Sequence, residues 1–401
     1  MSVAELVAVP ERTPEERGDL AVMLTGGGAR AAYQVGLLRG IAKHFPHLRF
    51  DVVTGVSAGA INAIFLAAKP GTLAEKVGEL SKLWCDLECH NVFRPNYGRL
   101  IPFRTLARTL FPNRISRRAH GAFDSAPLAE LLRDIFDAPI HCAPIAGIRE
   151  NLAHGGLKSV ALIGLDYGTG QSVRWIQGRN IEIFEGTNRR NVPCELTVEH
   201  VLASAALPFV FPAVQIGDRW YGDGGIRLSA PLSPAVHLGA RRVIAMSTGH
   251  MRSPDEAGKP AVRGYPPAAQ VISQLVNAVF LDVIEEDVQR MQRMNEMIDH
   301  VPPTDRNGFR RIELFVLRPS KDLGKLAAKY QMLLPAGVRL FTRALGADET
   351  ESPDFVSMLM FEPEYTQVLI ETGEEDVESR LDDLRAFLGE NARPTAASLA
   401  G

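Results

Sequence analysis

The stretch FDVVTGVSAGAINAIFLAA, residues 50–68, holds one serine between a β-branched run and a run of small residues, with a glycine two positions away on either side. A chain that leaves a buried strand and enters a helix this abruptly tolerates little side chain around the turn, and the turn lifts its central residue above the sheet edge. Gly55-Val56-Ser57-Ala58-Gly59 has that G-x-S-x-G form. We therefore read Ser57 as a nucleophile, with Gly55 and Gly59 permitting the turn. A helix beginning at Ala58 would aim its free N–H groups and positive dipole end toward the hydroxyl, favouring negative charge on a substrate oxygen.

Upstream, LAVMLT (residues 20–25) reads as a buried strand, and GGGARAAYQVGLLRGIAKHF carries apolar residues at helical spacing through Val35, Leu38, Ala42 and Phe45. Strand, glycine loop, helix, strand, tight turn, helix is the start of a parallel βαβ sheet. The loop Gly26-Gly27-Gly28-Ala29-Arg30 lacks full G-x-G-x-x-G spacing, since Ala31 is not glycine, and no Lys-Ser/Thr pair follows, so a nucleotide loop is disfavoured. Adjacent glycines instead let backbone N–H groups approach a substrate carbonyl, the requirement of an oxyanion hole.

A serine alcohol needs a proton acceptor. Two candidates arise. YGDGG places Asp223 between glycines on a sharp turn, where partial desolvation would raise its pKa and make it a base near neutral pH. The order Ser57, Asp223, His250 is also that of an α/β-hydrolase triad, although His250 sits in STGHMRSPDEAGKP, which reads as an exposed loop.

The remaining chain reads as strands with interspersed helices. LKSVALIGLDYGTGQSVRWIQG is a strand pair around Gly168-Thr169-Gly170; LTVEHVLASAALP is a short helix stopped by Pro208; VQIGDRWYGDGG is two brief strands around Gly217-Asp218; RRVIAMST and RRIELFVLRPS are buried strands. Residues 267–300 are helical in period, and residues 321–388 are mostly helical with breaks at Pro335, Pro353 and Pro363. The expected organisation is one α/β domain over residues 19–390, with loose tails at 1–18 and 391–401, a basic-aromatic insertion at 90–123 and a helical C-terminal region at 321–390.

Composition narrows the function. With 46% hydrophobic residues, 23% charged and a net charge of −3, the chain has no basic excess and is not expected to bind nucleic acid. The four cysteines, Cys85, Cys89, Cys142 and Cys194, are too sparse for a disulfide framework and fit a reducing compartment. CDLECH lacks a second ligand pair, so no metal site is expected. No basic leader or bilayer-length apolar run is evident, and the expected location is cytoplasmic, with peripheral membrane contact. Between Cys89 and Phe123 there is no acid but seven arginines, Arg94, Arg99, Arg104, Arg108, Arg114, Arg117 and Arg118, interleaved with Phe93, Tyr97, Phe103 and Phe111. This region either docks on anionic headgroups or is a solvated basic face.

GGGARAAYQVGLL, GVSAG, ASAALPFVFPAV and DGG, in that order, resemble the patatin-like phospholipases. The resemblance implies a three-layer α/β/α sandwich with a mostly parallel central sheet. It implies a Ser57–Asp223 dyad without a catalytic histidine, an oxyanion hole from the amides of Gly26, Gly27 and Gly28 with Arg30 as the loop's basic residue, supporting glycines Gly224 and Gly225, no cofactor, and hydrolysis of lipid acyl esters of the phospholipase A or lysophospholipase type. Arg30 is followed by Ala31 where the family often has Gly, and Asp223 by Gly-Gly where other members carry Gly-Ala. Acyl transfer by the same nucleophile and a Ser57-Asp223-His250 triad esterase are the rival readings. APIAGIREN (143–151) and LPFVFPAV (207–214) are candidate walls of an acyl pocket, and the helix after Pro267 a candidate interfacial lid.

Overall fold

A computed structural model describes residues 19–95, 121–179, 181, 185–258, 262, 264–350 and 352–389. The expected tails and all but Arg94 of the seven arginines lie outside these residues. β1 (Leu20–Leu24), α1 (Ala31–His44), β2 (Val52–Val56) and α2 (Ala58–Ala68) form the βαβα start that the apolar runs and glycines predict. After α3 (Leu73–Cys85) come β3 (Ser159–Asp166) and β4 (Ser172–Gly178), the pair joined through Gly168-Thr169-Gly170, then β5 (Arg189–Pro193), β6 (Val214–Ile216), β7 (Arg219–Asp223), β8 (Arg242–Met246) and β9 (Glu313–Leu317).

The nine strands form one sheet with main order β9-β8-β1-β2-β3-β4-β5. The five strands from β9 to β3 are parallel; β4 turns antiparallel onto β3. Along β1, Leu20, Val22 and Leu24 enter one apolar cluster while Ala21 and Met23 enter another on the opposite face. Burial on both faces is why the strand lacks polar alternation, and it makes the molecule the expected α/β/α sandwich with a mostly parallel sheet.

The C-terminal helices complete the first of these layers. Tyr365, Leu369, Ile370 and Val377 of the helix Pro363–Glu378 share the cluster that holds Tyr33, Leu37 and Ile41 of α1. Pro335, Pro353 and Pro363 begin helices there, at or just before the first helical residue, instead of ending them. A missing N–H costs nothing in a first turn.

Residues 268–299 form a continuous helical run, Ala268–Val276 and Val283–Asp299 joined through a π-helical turn at Asn277–Leu281. The run is 32 residues long with mean hydropathy 1.3 over its most apolar window, enough by length and composition to cross a bilayer, contrary to the expectation that no such run exists. One third of that window is buried in the protein, with Ile284 and Val288 inside the second cluster.

Candidate active site

Sheet register explains how Ser57 comes near Asp223, 166 positions further along the chain. β2 pairs with β3 up to Val56↔Ile163 and there ends at Ser57. The next residue of β3, Gly164, pairs with Asp223 of β7. Because β4 occupies the other edge of β3 through this same stretch, β7 takes the edge that β2 vacates. The carboxylate is thereby delivered to the end of the serine's own strand.

The turn has the strained geometry that lifts a nucleophile out of a sheet. Ser57 has φ 57° and ψ −134°, a conformation that a residue with a Cβ adopts only when its surroundings impose it. The Ser57 N–H donates to Ser204 Oγ at 3.0 Å, and Ser204 donates to the Ile163 carbonyl at 2.7 Å. Any side chain at Gly59 would strike the carbonyls of Leu24 and Thr25, and one at Gly55 would strike Gly59 and Ala63. These contacts pack α2 directly onto the ends of β1 and β2.

The glycine loop lies against the serine. A Cβ at Gly26 would fall 2.7 Å from Ser57 Cβ and 3.3 Å from its Oγ. Thr248 holds the loop by donating to the Gly26 carbonyl. Gly28 combines φ 58° with close approach to the Met358 carbonyl, so no other residue fits there. Arg30 is 2% exposed and points away into the C-terminal layer. It pairs with Asp354 and donates from Nε to Ser357 Oγ at 2.6 Å. Its role is to tether the loop.

Asp223 is fully buried. Oδ1 accepts the Gly225 N–H at 2.9 Å, and Oδ2 has no well-formed hydrogen bond. Burial pushes its carboxyl up to about 7, with the nearby Ser57 hydroxyl and the Gly225 N–H pulling the other way. A carboxylate that titrates near neutrality with one oxygen unengaged, beside an alcohol, is equipped to accept a proton. Gly224 is pressed onto the Ile163 carbonyl and Gly225 onto the ring of Phe280, a residue of the π turn that also approaches Gly26.

An apolar cavity opens at Ser57, with about 680 Å³ of space including its mouth. Its walls include Ile61, Trp84, Leu128, Leu132, Leu207, Phe211 and Phe361. Leu207 and Phe211 come from the expected LPFVFPAV segment. APIAGIREN does not contribute: its helix packs beside α2, with Gly147 against the Ala68 carbonyl.

His250 is not brought to the serine. Its Nδ1 lies 3.0 Å from the Pro319 carbonyl and its Nε2 3.4 Å from Glu256, and the ring is half-buried where the polar sequence around it suggested exposure. Among the described residues, His141, Cys142 and Glu199 have ligand atoms within 4.8 Å of one another. Glu199 already accepts from Arg133 at 2.9 Å and from the Cys142 N–H at 2.9 Å, which accounts for its burial.

The sequence reading did not identify Ser204, Thr248, Asp354 or Phe280. Each acts on the site from far along the chain, and only ASAALP, which contains Ser204, carried a motif signal.

A serine on a strand-to-helix elbow, at the end of a mostly parallel sheet between helical layers, places the molecule among α/β proteins of hydrolase type. The family model for patatin-like phospholipase matches residues 22–236, more than half of the chain, and the chain belongs to that family. The mouse calcium-independent phospholipase A2-gamma is 26% identical over 226 residues, covering 55% of this chain and 26% of that protein. The cGAMP-activated phospholipase of Pseudomonas aeruginosa is 27% identical over 217 residues, covering 52% of this chain and 53% of the relative. The chain thus matches from a quarter to about half of the length of these relatives. Among solved structures, human GIVD cytosolic phospholipase A2 aligns over 94% of this chain and 61% of its own, at 12% identity and a TM-score of 0.43. VipD from Legionella pneumophila aligns over 90% and 69%, at 12% identity and a TM-score of 0.36.

Proposed function

We propose that this chain is a serine acyl hydrolase that cleaves lipid acyl esters through a Ser57–Asp223 dyad. The observation that carries the reading is the buried Asp223 carboxylate, with Oδ2 unengaged, delivered by the sheet register to the end of the strand that bears Ser57. Asp223 takes the hydroxyl proton as Ser57 Oγ bonds to the ester carbonyl carbon. Amides of Gly26, Gly27 and Gly28 receive the oxyanion, each such donor contributing about 3 kcal/mol to the barrier reduction. The C–O bond to the alcohol then breaks, and Asp223 returns the proton to that alcohol. A water, deprotonated by the same carboxylate, cleaves the acyl-serine and restores both residues.

The apolar cavity beside Ser57 suits the acyl chain of a lipid. Substrate comes from a membrane surface, where the chain acts as a peripheral protein of the cytoplasmic compartment, drawn to anionic lipid by the arginine-rich stretch that begins at Arg94. Exposed Val271 and Leu275, on the helical run that carries Phe280 to the dyad, support contact with that surface.

The test is hydrolysis of a p-nitrophenyl acyl ester by the parent chain, Ser57→Ala, Asp223→Asn and His250→Ala. The dyad requires the first two variants to be inactive and the third to turn over. Loss of turnover in His250→Ala as complete as in the other two would restore the triad, and full activity in Ser57→Ala would remove the nucleophile.

A further inference from the structure

The helix Val198–Ser204 ends on a fully buried serine whose side chain is spent on the backbone of two strands. Ser204 Oγ accepts the Ser57 N–H at 3.0 Å and donates to the Ile163 carbonyl at 2.7 Å. Ile163 is where the β2–β3 ladder stops, opposite Val56, and Ser57 is the first residue beyond it. The hydroxyl therefore stands where one more bond between the strands would run, inserted between a donor at the end of β2 and an acceptor on β3. One residue further along β3, Gly164 pairs with Asp223. Two positions beyond Ser204, the Ala206 carbonyl accepts the Asp223 N–H at 3.1 Å.

One short segment thus holds the backbone of both dyad residues. It is fixed at its other end by a capping box of Thr197 and His200, and by Glu199, which receives Arg133 at 2.9 Å. A serine hydroxyl has a single proton to donate. Given to the Ile163 carbonyl, that proton is withheld from Ser57 and from substrate, so Ser204 is neither a relay nor a second nucleophile. The Ser57 N–H, in turn, is spent on Ser204 and is not among the oxyanion donors. What remains for the hydroxyl is geometry. Ser57 keeps φ 57°, a conformation its surroundings must impose, and a bond to its N–H fixes how the residue is turned at the strand end. An inserted oxygen also keeps β2 and β3 further apart here than a direct N–H to C=O bond would, and the carboxylate enters at the next residue of β3.

We propose that Ser204 is a positioning residue: its hydroxyl bridges the ends of β2 and β3 and so sets the placement of Ser57 against Asp223. The inference rests on the hydrolase reading above and adds a residue that acts on the reaction only through the serine. A misplacement of about 1 Å in a reacting pair costs about a hundredfold in rate. The effect therefore falls on turnover and not on substrate binding.

Two arms test it, both in the full-length chain. With p-nitrophenyl butyrate, Ser204→Ala should lower kcat about a hundredfold and leave KM within about threefold. The same loss should appear with a long-chain ester. Ile312→Ala, a truncation in the opposite apolar cluster, lowers the denaturant midpoint without touching the site and should keep kcat. The second arm needs no hydrolysis. Amide hydrogen exchange resolved at Ser57 should be at least about tenfold faster in Ser204→Ala than in the parent, with the β1 amides unchanged. Should Ser204→Ala not fold, Ser204→Cys takes its place in both arms: it has nearly the same shape and only a weak S–H donor, and should show smaller losses of the same kind. An unchanged kcat, a loss matched by Ile312→Ala, or a loss confined to KM or to long-chain esters overturns the role, as does Ser57 exchange equal to the parent's. Absence of hydrolysis in the parent chain defeats the hydrolase reading, while exchange at Ser57 still decides whether the bridge exists.

Discussion

Asp354, in the helical C-terminal region, and Asp223, at the end of a sheet strand, are both buried carboxylates, the first paired with Arg30 of the glycine loop and the second near Ser57. Asp354 receives Arg30 on one oxygen and the Asn277 amide on the other at 2.7 Å. Asp223 receives one backbone N–H and keeps its second oxygen unengaged. The first is satisfied as a buried charge should be, and it ties Arg30, the glycine loop and the π turn into one unit. The second has its desolvation only partly offset, by the Gly225 N–H and the nearby Ser57 hydroxyl, and its carboxyl is pushed up to about 7. Equal burial with unequal satisfaction separates the residue that holds the site from the one proposed to act in it.

The largest effect that could break this contrast is on turnover. Ser57→Ala and Asp223→Asn should each lower kcat by about 10⁴-fold or more, as expected for members of one catalytic unit, in a p-nitrophenyl ester assay. Arg30→Met should fall in the other class. It leaves Asp354 buried without its cation, at a cost of about 3–5 kcal/mol, read as a lower denaturant midpoint.

Stability against pH sharpens the distinction. A carboxyl whose pKa is raised on folding stabilises the chain below its unfolded value near 3.9 and loses that contribution as pH rises through its folded value of about 7. The loss amounts to about 4 kcal/mol across that window. Asp223→Asn should thus be more stable than the parent above pH 7, with the gap closing toward pH 4 in urea titrations. An Asn variant less stable than the parent at pH 8 would make Asp223 a structural acid like Asp354.

The smallest effect concerns the cavity. Leu131 lines it, and Leu131→Trp should reduce the kcat/KM ratio for long over short acyl esters by about tenfold. An unchanged ratio would place the acyl chain elsewhere.

These contrasts mark what was legible in the sequence. β1, β2 and their following helices are encoded locally: apolar runs long enough for one buried strand each, then glycines where backbone packs on backbone. Ser57 and the glycine loop were legible for that reason. Asp223 needed its place in an ordered set of motifs, because the register that joins it to Ser57 depends on β3 as an intermediary. The Arg30–Asp354 pair spans 324 positions, and nothing near either residue announces the other. Phe280 looked like one more apolar residue in a helical stripe; its place above the dyad follows from a π turn that periodicity does not reveal. APIAGIREN misled because an apolar amphipathic helix next to the sheet reads the same whether it lines a cavity or packs on α2.

The central claim is that Ser57 becomes acylated through Asp223. It is tested most directly by acid-quenching the chain during turnover of a slow acyl ester and mapping the adduct by mass spectrometry. The account predicts one acyl group, on the peptide bearing Ser57, present in the parent chain and in His250→Ala and lost in Asp223→Asn. An acyl group on another residue, or one that forms on Ser57 equally well in Asp223→Asn, would contradict it.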